Sequence, residues 1–238
     1  MREACVWTIT VFGANGPTGR LVVQQALAAG HHVVAVTRQP DAYPLTSPHL
    51  DVVAADVTDP DAVARALAGA RAVISTFGVP YSRKAITVYS RGIANIARAM
   101  ADQGITRLVC VSSTTVATGD APGKTLFWRK ALIPFLRHVI GRTLYDDMER
   151  MEEVVRHSDL DWTIVRPAGL FNADEPTADY QAAPGRLTGG ITSRADLAET
   201  LIREATAPQY PRAIIEVITR SNTPSSMTFL KEAFGSGR

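Results

Sequence analysis

Seven residues near the start of the chain constrain its fold more than any other feature. A β-branched apolar run over 6–12 comes before them, and an apolar helical pattern beginning at Leu21 follows. The segment reads Gly13-Ala14-Asn15-Gly16-Pro17-Thr18-Gly19. Gly13 lets the chain turn off a strand, Gly16 lets backbone N–H groups approach a pyrophosphate, and Gly19 lets a helix pack closely on a sheet. The motif, G-x-x-G-x-x-G rather than G-x-G-x-x-G, predicts a dinucleotide-binding strand–loop–helix unit, and a purely structural turn is the alternative.

The rest of the chain alternates short apolar runs with longer helical patterns. The runs are nearly continuous in Val, Ile and Leu, as in parallel strands buried on both faces, and they predict strands at 6–12, 32–37, 50–54, 72–75, 107–111 and 162–166. Asp59-Pro60 and a capping-box pattern at Ser193 to Asp196 mark two helix starts. This alternation predicts an α/β fold, a Rossmann-like doubly wound parallel sheet.

Two segments interrupt the alternation, and both directly follow predicted strands. They are 114–144, which contains a basic stretch, and 168–190, which is rich in Gly, Pro and acidic residues. Ligands bind beyond the carboxyl ends of strands in open α/β sheets, so we expect these segments to form a small substrate-capping region on a single domain spanning 1–238. We interpret 124–142 as a lid rather than an oligomer contact or a membrane-binding surface.

Composition and charge exclude several classes of protein. A formal charge of +2 gives no general attraction to nucleic acid, and no apolar run approaches the length of a membrane span. The two cysteines, Cys5 and Cys110, fit neither a disulfide framework nor a zinc site, and no histidine pair has metal-binding spacing. We therefore expect a cytoplasmic monomer or homodimer without a metal, acting on a small molecule.

The end of the second predicted strand indicates which dinucleotide binds. An acidic residue there would contact the adenosine ribose and favour NAD, whereas this chain has Thr37-Arg38-Gln39. Arg38 can hold a 2′-phosphate by charge-assisted hydrogen bonds, which favours NADP. The alternative is a solvated arginine in a loop.

Several motifs occur together in one order along residues 6 to 205. They are the 11–19 loop, Thr37-Arg38, Ala55-Asp56-Val57, Val111-Ser112-Ser113, the 162–167 segment ending in Arg166-Pro167, and the 191–198 segment beginning Ile191-Thr192-Ser193. Together they resemble the atypical short-chain dehydrogenase/reductase superfamily, in the NAD(P)-binding branch similar to biliverdin reductase B-type flavin reductases and NmrA-like proteins. None of them identifies a substrate.

The resemblance implies roles for residues at the strand ends. It assigns Asp56 and Val57 to the adenine, although Asp56 also suits a strand-end turn or a helix cap. It places the segment after the fourth strand along the ribose and phosphates, the segment after the sixth strand against the nicotinamide, and Ser112 in the cofactor site. These two segments are Ser75-Thr76-Phe77-Gly78 and Pro167-Ala168-Gly169.

Many relatives use a serine, a tyrosine and a lysine four residues after the tyrosine. Ser113 matches the serine and Tyr145 lies near the tyrosine position, but Glu149 stands four residues after it. We therefore consider three alternatives: Ser113 orients a carbonyl while Tyr145 or water donates the proton; an electron-poor acceptor needs no strong acid; or the protein binds NADP without chemistry. For Ser113 a strand-end hydrogen bond, and for Tyr145 a buried or lid position, are the structural alternatives.

The sequence thus predicts an NADPH-dependent oxidoreductase. Its acceptor would be a small, cyclic or conjugated carbonyl, a quinone or a flavin-like molecule. A non-catalytic NADP(H)-binding redox sensor or regulator of the NmrA-like type is the alternative.

Overall fold

The computed structural model describes residues 6–82, 84–117, 137, 141–221 and 223–224. Within them, five α-helices and ten strands are formed. The helices are α1 (Pro17–Ala28), α2 (Pro60–Ala66), α3 (Val88–Asp102), α4 (Arg142–Arg156) and α5 (Arg194–Thr206). The strands are β1 (Thr8–Phe12), β2 (His32–Thr37), β3 (Leu50–Ala54), β4 (Ala72–Ser75), β5 (Arg107–Val111), β6 (Asp161–Pro167), β7 (Gly169–Phe171), β8 (Tyr180–Pro184), β9 (Ile191–Ser193) and β10 (Ala213–Thr219).

One mostly parallel sheet organises the molecule, in the order β3-β2-β1-β4-β5-β6-β10-β8. Only its edge strand β8 is antiparallel among these, and β7 and β9 form a separate parallel pair. The first six strands correspond to the six predicted ones, with β1 starting two residues later and β6 one residue longer at each end. The predicted doubly wound α/β fold is confirmed.

Helices cover both faces of the sheet. On one face α2, α3 and α4 bury Ile93 and Met151 against Phe12. On the other face α1 and α5 pack together and bury Val22 and Leu197. Since both faces of β1 and β4 are covered, their side chains are apolar in succession rather than alternately, which is the pattern that the sequence showed.

The predicted capping box at the start of α5 forms only in part. The Ser193 hydroxyl accepts hydrogen bonds from the backbone N–H groups of Ala195 and Asp196, at 3.1 and 3.3 Å. The Asp196 carboxylate does not return to the cap, because it accepts from Thr177 and Thr219 instead. Asp196 thereby ties the 168–190 segment to the end of β10.

The N-terminus of α3 is capped by a residue of α4. Asp147 is fully buried, and its carboxylate accepts from Tyr89 N at 2.9 Å and from the Ser90 hydroxyl at 2.5 Å. The Arg150 guanidinium, on the same helix, lies 3.2 Å from Asp147 Oδ1, the oxygen that accepts from Ser90. A carboxylate at a helix N-terminus satisfies backbone donors that lack helical partners.

The two predicted capping segments differ in what the structure describes. Most of 114–144 lies outside the described residues, and so does the predicted lid apart from Arg137 and 141–142. The 168–190 segment contains β7 and β8, and Arg186 fastens it to the sheet through Glu216 at 2.7 Å and to Thr114 O at 3.0 Å. Across the described ranges, no helix combines the length and apolar character that crossing a bilayer would require.

Candidate cofactor and substrate site

The glycine loop joins β1 to α1, and two of its glycines are required by close packing. Gly13 has φ +78°, and a Cβ there would lie 2.4 Å from Phe77 N. A Cβ at Gly19 would lie 2.2 Å from Gly13 O. Gly16 differs, because its φ is −72° and the nearest atom to an added Cβ is Gly13 O at 3.3 Å. An added side chain there would meet one carbonyl oxygen closely instead of several backbone atoms, which leaves more room for a ligand than at Gly13 or Gly19.

The first turn of α1 offers backbone donors beside that space. Its first helical hydrogen bond runs from Arg20 N to Gly16 O at 2.9 Å, so the N–H groups of Thr18 and Gly19 precede it. No acidic residue lies in this turn, and Pro17 occupies its first position. Free donors and the positive end of the helix dipole suit a pyrophosphate, so the predicted loop residues fit a dinucleotide.

Arg20 is a candidate that the sequence reasoning did not identify. Its guanidinium donates to the Asn15 side-chain oxygen at 3.0 and 2.8 Å, which folds an exposed cation back over the loop. The sequence feature that could have identified Arg20 is its position directly after Gly19. A cation there adds to the attraction for phosphate.

The ends of β2 and β3 bring two predicted residues close together. Arg38 is exposed one residue after β2. The Asp56 carboxylate accepts from Thr58 N and the Thr58 hydroxyl at 2.8 and 2.7 Å, and these bonds, with a smaller effect of Arg38, lower the pKa of Asp56. Asp56 thus forms the strand-end turn considered above, while Asp59 caps α2. Val57 packs against Gly92, where an added Cβ would lie 2.9 Å from it.

The segment after β4 lies against the glycine turn. Thr76 donates through its backbone N–H to Phe12 O at 2.9 Å and through its hydroxyl to the same oxygen at 3.1 Å. Phe77 contacts Gly13, Gly78 is exposed, and Ser75 is buried. The structure therefore brings the 75–78 segment next to the loop, as a shared cofactor site requires.

The segment after β6 has its backbone donors already engaged. Ala168 N donates to the Thr192 hydroxyl at 2.9 Å, and Gly169 N donates to Gly190 O at 3.1 Å. Pro167 is the last residue of β6. Any contact of these residues with a nicotinamide would therefore use surfaces other than these two N–H groups.

Ser112 lies in a buried ionic cluster that sequence reasoning missed. Its hydroxyl donates to Glu152 Oε1 at 2.6 Å, and Arg166 donates to both oxygens of the same carboxylate at 2.8 and 2.5 Å. Both Ser112 and Glu152 are almost completely buried. The cluster joins β5, α4 and β6, and it lines a cleft of about 250 Å³ that also contains Glu216.

The two predicted catalytic residues are connected through Thr115, which bonds Ser113 by its backbone N–H and Tyr145 by its side chain. Ser113 Oγ accepts from Thr115 N at 3.2 Å, and the Thr115 hydroxyl is hydrogen-bonded to Tyr145. The Tyr145 hydroxyl lies 3.0 Å from that of Tyr81, a residue that the sequence analysis did not identify. We call the hydroxyls of Ser113, Thr115, Tyr145 and Tyr81 the hydroxyl chain. Burial, together with Tyr81, raises the pKa of Tyr145, so this phenol stays protonated at neutral pH.

A cation lies beside Tyr145 even though the lysine of many relatives is absent. The Arg137 guanidinium lies 5.7 Å from the centre of the Tyr145 ring. It also pairs with Asp146 at 2.9 Å and Glu149 at 2.8 Å. Two carboxylates therefore balance its charge, and it does not act as an unpaired cation on the phenol.

Comparisons with known proteins agree with this geometry. The family described as NAD(P)H-binding matches residues 13–208. An uncharacterized chloroplastic protein of Arabidopsis thaliana is 32% identical, over 93% of this chain and 81% of its own length. A short-chain dehydrogenase/reductase from Veillonella parvula in complex with NADP has a TM-score of 0.75 at 21% identity, covering 93% of this chain and 100% of that one.

A second solved structure is a reductase. ChuY, an anaerobillin reductase from Escherichia coli O157:H7, has a TM-score of 0.72 at 24% identity and covers 92% of this chain and 100% of that one. At these identities the solved structures show the shared fold. The family match over most of the chain leads to one conclusion: this protein belongs to the NAD(P)H-binding family.

Proposed function

We propose that this protein is an NADPH-dependent reductase that transfers hydride to a small, cyclic or conjugated carbonyl, a quinone or a flavin-like acceptor. One observation carries the proposal: the open helix N-terminus beside Gly16 and the hydroxyl chain both lie beyond the carboxyl ends of parallel strands. Ligands of open α/β sheets bind at this edge. A dinucleotide site and proton-donating groups are thus available along one edge.

The residues that would hold the cofactor follow from these positions. The N–H groups of Thr18 and Gly19 would bind the pyrophosphate, and Arg38 would bind a 2′-phosphate. The remaining predicted contacts are Asp56 and Val57 for the adenine, 75–78 for the ribose and phosphates, and 167–169 for the nicotinamide. NADPH supplies a hydride when bound. The exposed cations Arg20 and Arg38 near the loop support NADP over NAD.

The protein's own groups orient the acceptor and provide the proton. The Ser113 oxygen accepts from a backbone N–H, which leaves its own proton available for an acceptor oxygen. Tyr145 stays protonated for the reason given above. Its hydroxyl can therefore donate a proton, but with little driving force. This arrangement suits acceptors that are already electron-poor.

A direct assay tests the proposal. Purified protein with NADPH is offered riboflavin, 1,4-naphthoquinone, cyclohex-2-enone and benzaldehyde while nicotinamide absorbance is followed. We expect oxidation of NADPH with at least one acceptor and no more than slow oxidation without one. Failure with every acceptor, despite tight NADPH binding by calorimetry, would reject the reductase and favour the second candidate.

That second candidate is a non-catalytic NADP(H)-binding regulator. It is favoured by one observation: the residue four positions after Tyr145 is Glu149 and not a lysine that would activate the phenol. The Glu149 carboxylate pairs with Arg137. Such a protein would change its binding to another protein with the NADP+/NADPH ratio. The assay above separates the two, since a regulator binds NADPH without consuming it.

We further propose that the chain is a single domain acting in the cytoplasm on a small molecule, as a monomer or homodimer, without nucleic-acid or membrane partners. The buried free thiol of Cys110 suits a reducing compartment. The 168–190 segment, held to β10 through Glu216 and Asp196, is the larger described part of the proposed capping region.

A further inference from the structure

Tyr81 combines exposure with a fixed position. It lies in the loop between β4 and α3, and 56% of its surface is exposed. Its hydroxyl nevertheless lies 3.0 Å from that of Tyr145, with the two rings 6.3 Å apart. The loop is fastened on both sides, since Val79 N donates to the Tyr89 hydroxyl at 3.2 Å and the Thr143 hydroxyl donates to Ser82 O at 2.6 Å. The phenol is therefore held toward α4 while remaining accessible to a ligand.

Tyr145 has the opposite properties. Only 7% of it is exposed, and its hydroxyl already has two partners, Thr115 and Tyr81. An acceptor oxygen could reach this hydroxyl only by displacing one of them. Of the two phenols, the one that faces solvent is Tyr81.

We infer that Tyr81 is the residue that donates the proton to the acceptor oxygen, and that Tyr145 is a positioning residue behind it. The inference rests on the proposed reductase function. The buried Tyr145 keeps its proton and can donate a hydrogen bond to the Tyr81 oxygen, which leaves the Tyr81 proton directed toward the site. Negative charge that develops on Tyr81 would then be stabilised by this hydrogen bond, in place of the absent lysine.

The proposed step balances as follows. Hydride from NADPH forms a new C–H bond at the acceptor carbon, and the C=O π electron pair moves to oxygen. The Tyr81 O–H bond breaks, its proton forms the O–H bond of the product, and Tyr81 is left as a phenolate. Because Tyr81 is exposed, water returns the proton directly. The products are NADP+ and an alcohol, so the inference selects acceptors that are protonated on oxygen.

Variants of the two tyrosines test the inference on the carbonyl acceptor of the panel that is reduced fastest. We expect Tyr81→Phe to lower kcat by roughly 30-fold or more without changing the Kd for NADPH, and Tyr145→Phe to lower it by about fivefold. The double variant should match Tyr81→Phe, since Tyr145 acts through Tyr81. Tyr210→Phe, whose hydroxyl donates to Ala182 O at 3.2 Å and which lies before the start of β10, is the matched control.

A spectroscopic measurement adds a readout independent of turnover. With 3-fluorotyrosine incorporated at position 81, the ¹⁹F resonance should shift when the same carbonyl acceptor is added to the NADP+-loaded protein. The Tyr145→Phe change should shift this resonance in the free protein as well. A fluorine label at position 210 should respond to neither.

The outcomes separate this inference from the proposed function. Full activity of Tyr81→Phe in an active reductase, a larger loss for Tyr145→Phe than for Tyr81→Phe, or multiplicative losses in the double variant would each overturn the role of Tyr81 alone. Reduction of riboflavin with no carbonyl acceptor would do the same, because its isoalloxazine accepts hydride at nitrogen. No NADPH oxidation with any acceptor would reject the proposed function, and this inference with it.

Discussion

The two halves of the sheet edge are built in different ways. At the β1–β4 half, the geometry is set by the backbone: a glycine turn, a helix N-terminus and strand ends that contact each other through main-chain atoms. At the β5–β10 half, it is set by side chains that come from distant parts of the chain, such as Ser112 and Glu152, which are separated by 40 residues. The backbone-made half suits a cofactor that stays the same. The side chains of the other half can be substituted to fit different acceptors.

This difference predicts different responses to substitution. A backbone-made site fails when a side chain is added to it, whereas a side-chain-made site fails when one is removed. The predictions below test whether the two halves separate in this way, through cofactor affinity for one and turnover or folding for the other.

The largest effect is expected at the glycine loop. Gly16→Val places two methyl groups in the space beside the first turn of α1, and its φ of −72° tolerates the new residue. We expect NADPH affinity measured by calorimetry to fall by at least ~10³-fold, about 4 kcal/mol, with a moderate loss of Tm. Gln24→Val, at an exposed position further along the same helix, serves as the control. Normal NADPH binding by Gly16→Val would mean that the loop is an ordinary turn.

The next largest effect is expected at the ionic cluster of Ser112, Glu152 and Arg166, in the β5–β10 half. Glu152→Gln removes the buried charge that pairs with Arg166 and leaves a partly buried guanidinium without its carboxylate. We expect the free energy of unfolding, from urea denaturation, to fall by about 3 kcal/mol. Glu153→Gln, an exposed neighbour on the same helix, should change it by less than ~0.5 kcal/mol. Equal stability of the two variants would show that the cluster does not hold this half together.

Removal of the Ser113 hydroxyl should affect turnover rather than binding. If it hydrogen-bonds an oxygen that gains charge during hydride transfer, Ser113→Ala lowers kcat by ~10²-fold with NADPH affinity unchanged. Tyr145→Phe should cost less. A loss above ~10³-fold for Tyr145→Phe would instead indicate activation of this phenol by a cation, with Arg137 the first to examine. Unchanged kcat for both variants would show that neither of these two hydroxyls takes part in the transfer of the proton.

A smaller effect is expected for cofactor choice. NADPH should bind at least ~10-fold more tightly than NADH, about 1.4 kcal/mol, because of the charge-assisted contact at Arg38. Arg38→Asp should abolish or reverse that preference in fluorescence titrations. Arg65 is an exposed cation in the last turn of α2, and Arg65→Asp should preserve the preference. Equal affinities of the unmodified protein for NADPH and NADH would contradict the assignment.

The smallest effect concerns pH. Burial raises the pKa of Tyr145, and it raises the pKa of Tyr43 to about 12, so the folded protein holds protons that the unfolded chain releases above about pH 10. Stability from these groups is therefore complete below pH 10 and is lost as pH rises further. Urea denaturation from pH 8 to 11 should show a shallower loss for Tyr145→Phe, by a fraction of ~1.4 kcal/mol per pH unit. Identical slopes would show that Tyr145 ionises while folded.

Much of the backbone-made half could be predicted, because its signals are local in sequence. The spacing of Gly13, Gly16 and Gly19 predicted the turn, and continuous β-branched runs predicted β1 to β6. The predicted cofactor and catalytic roles stay predictions. Arg38 and Asp56 were singled out from strand ends alone, and the structure places them near each other.

The side-chain-made half was harder to predict for physical reasons. β10 carries a β-branched run broken by Glu216, and that carboxylate is explained by Arg186 and the Leu187 backbone N–H, both of which follow β8. β8 is an edge strand with few β-branched residues, and β7 and β9 have three residues each. Tyr81 has no local signal, since its importance comes from a partner 64 residues away. Contacts between residues that are far apart in the chain produce no regular spacing in the sequence from which they could be predicted.

The capping of α3 by Asp147 has a consequence for how the molecule opens. When α4 detaches from the sheet, the backbone N–H groups of Tyr89 and Ser90 lose the carboxylate that they share, so the first turn of α3 is weakened at the same moment. The two helices should then exchange their amide hydrogens as one cooperative unit, while α1 and α5 on the opposite face exchange separately. The hydroxyl chain, anchored on α4, would be lost and regained in that same opening event.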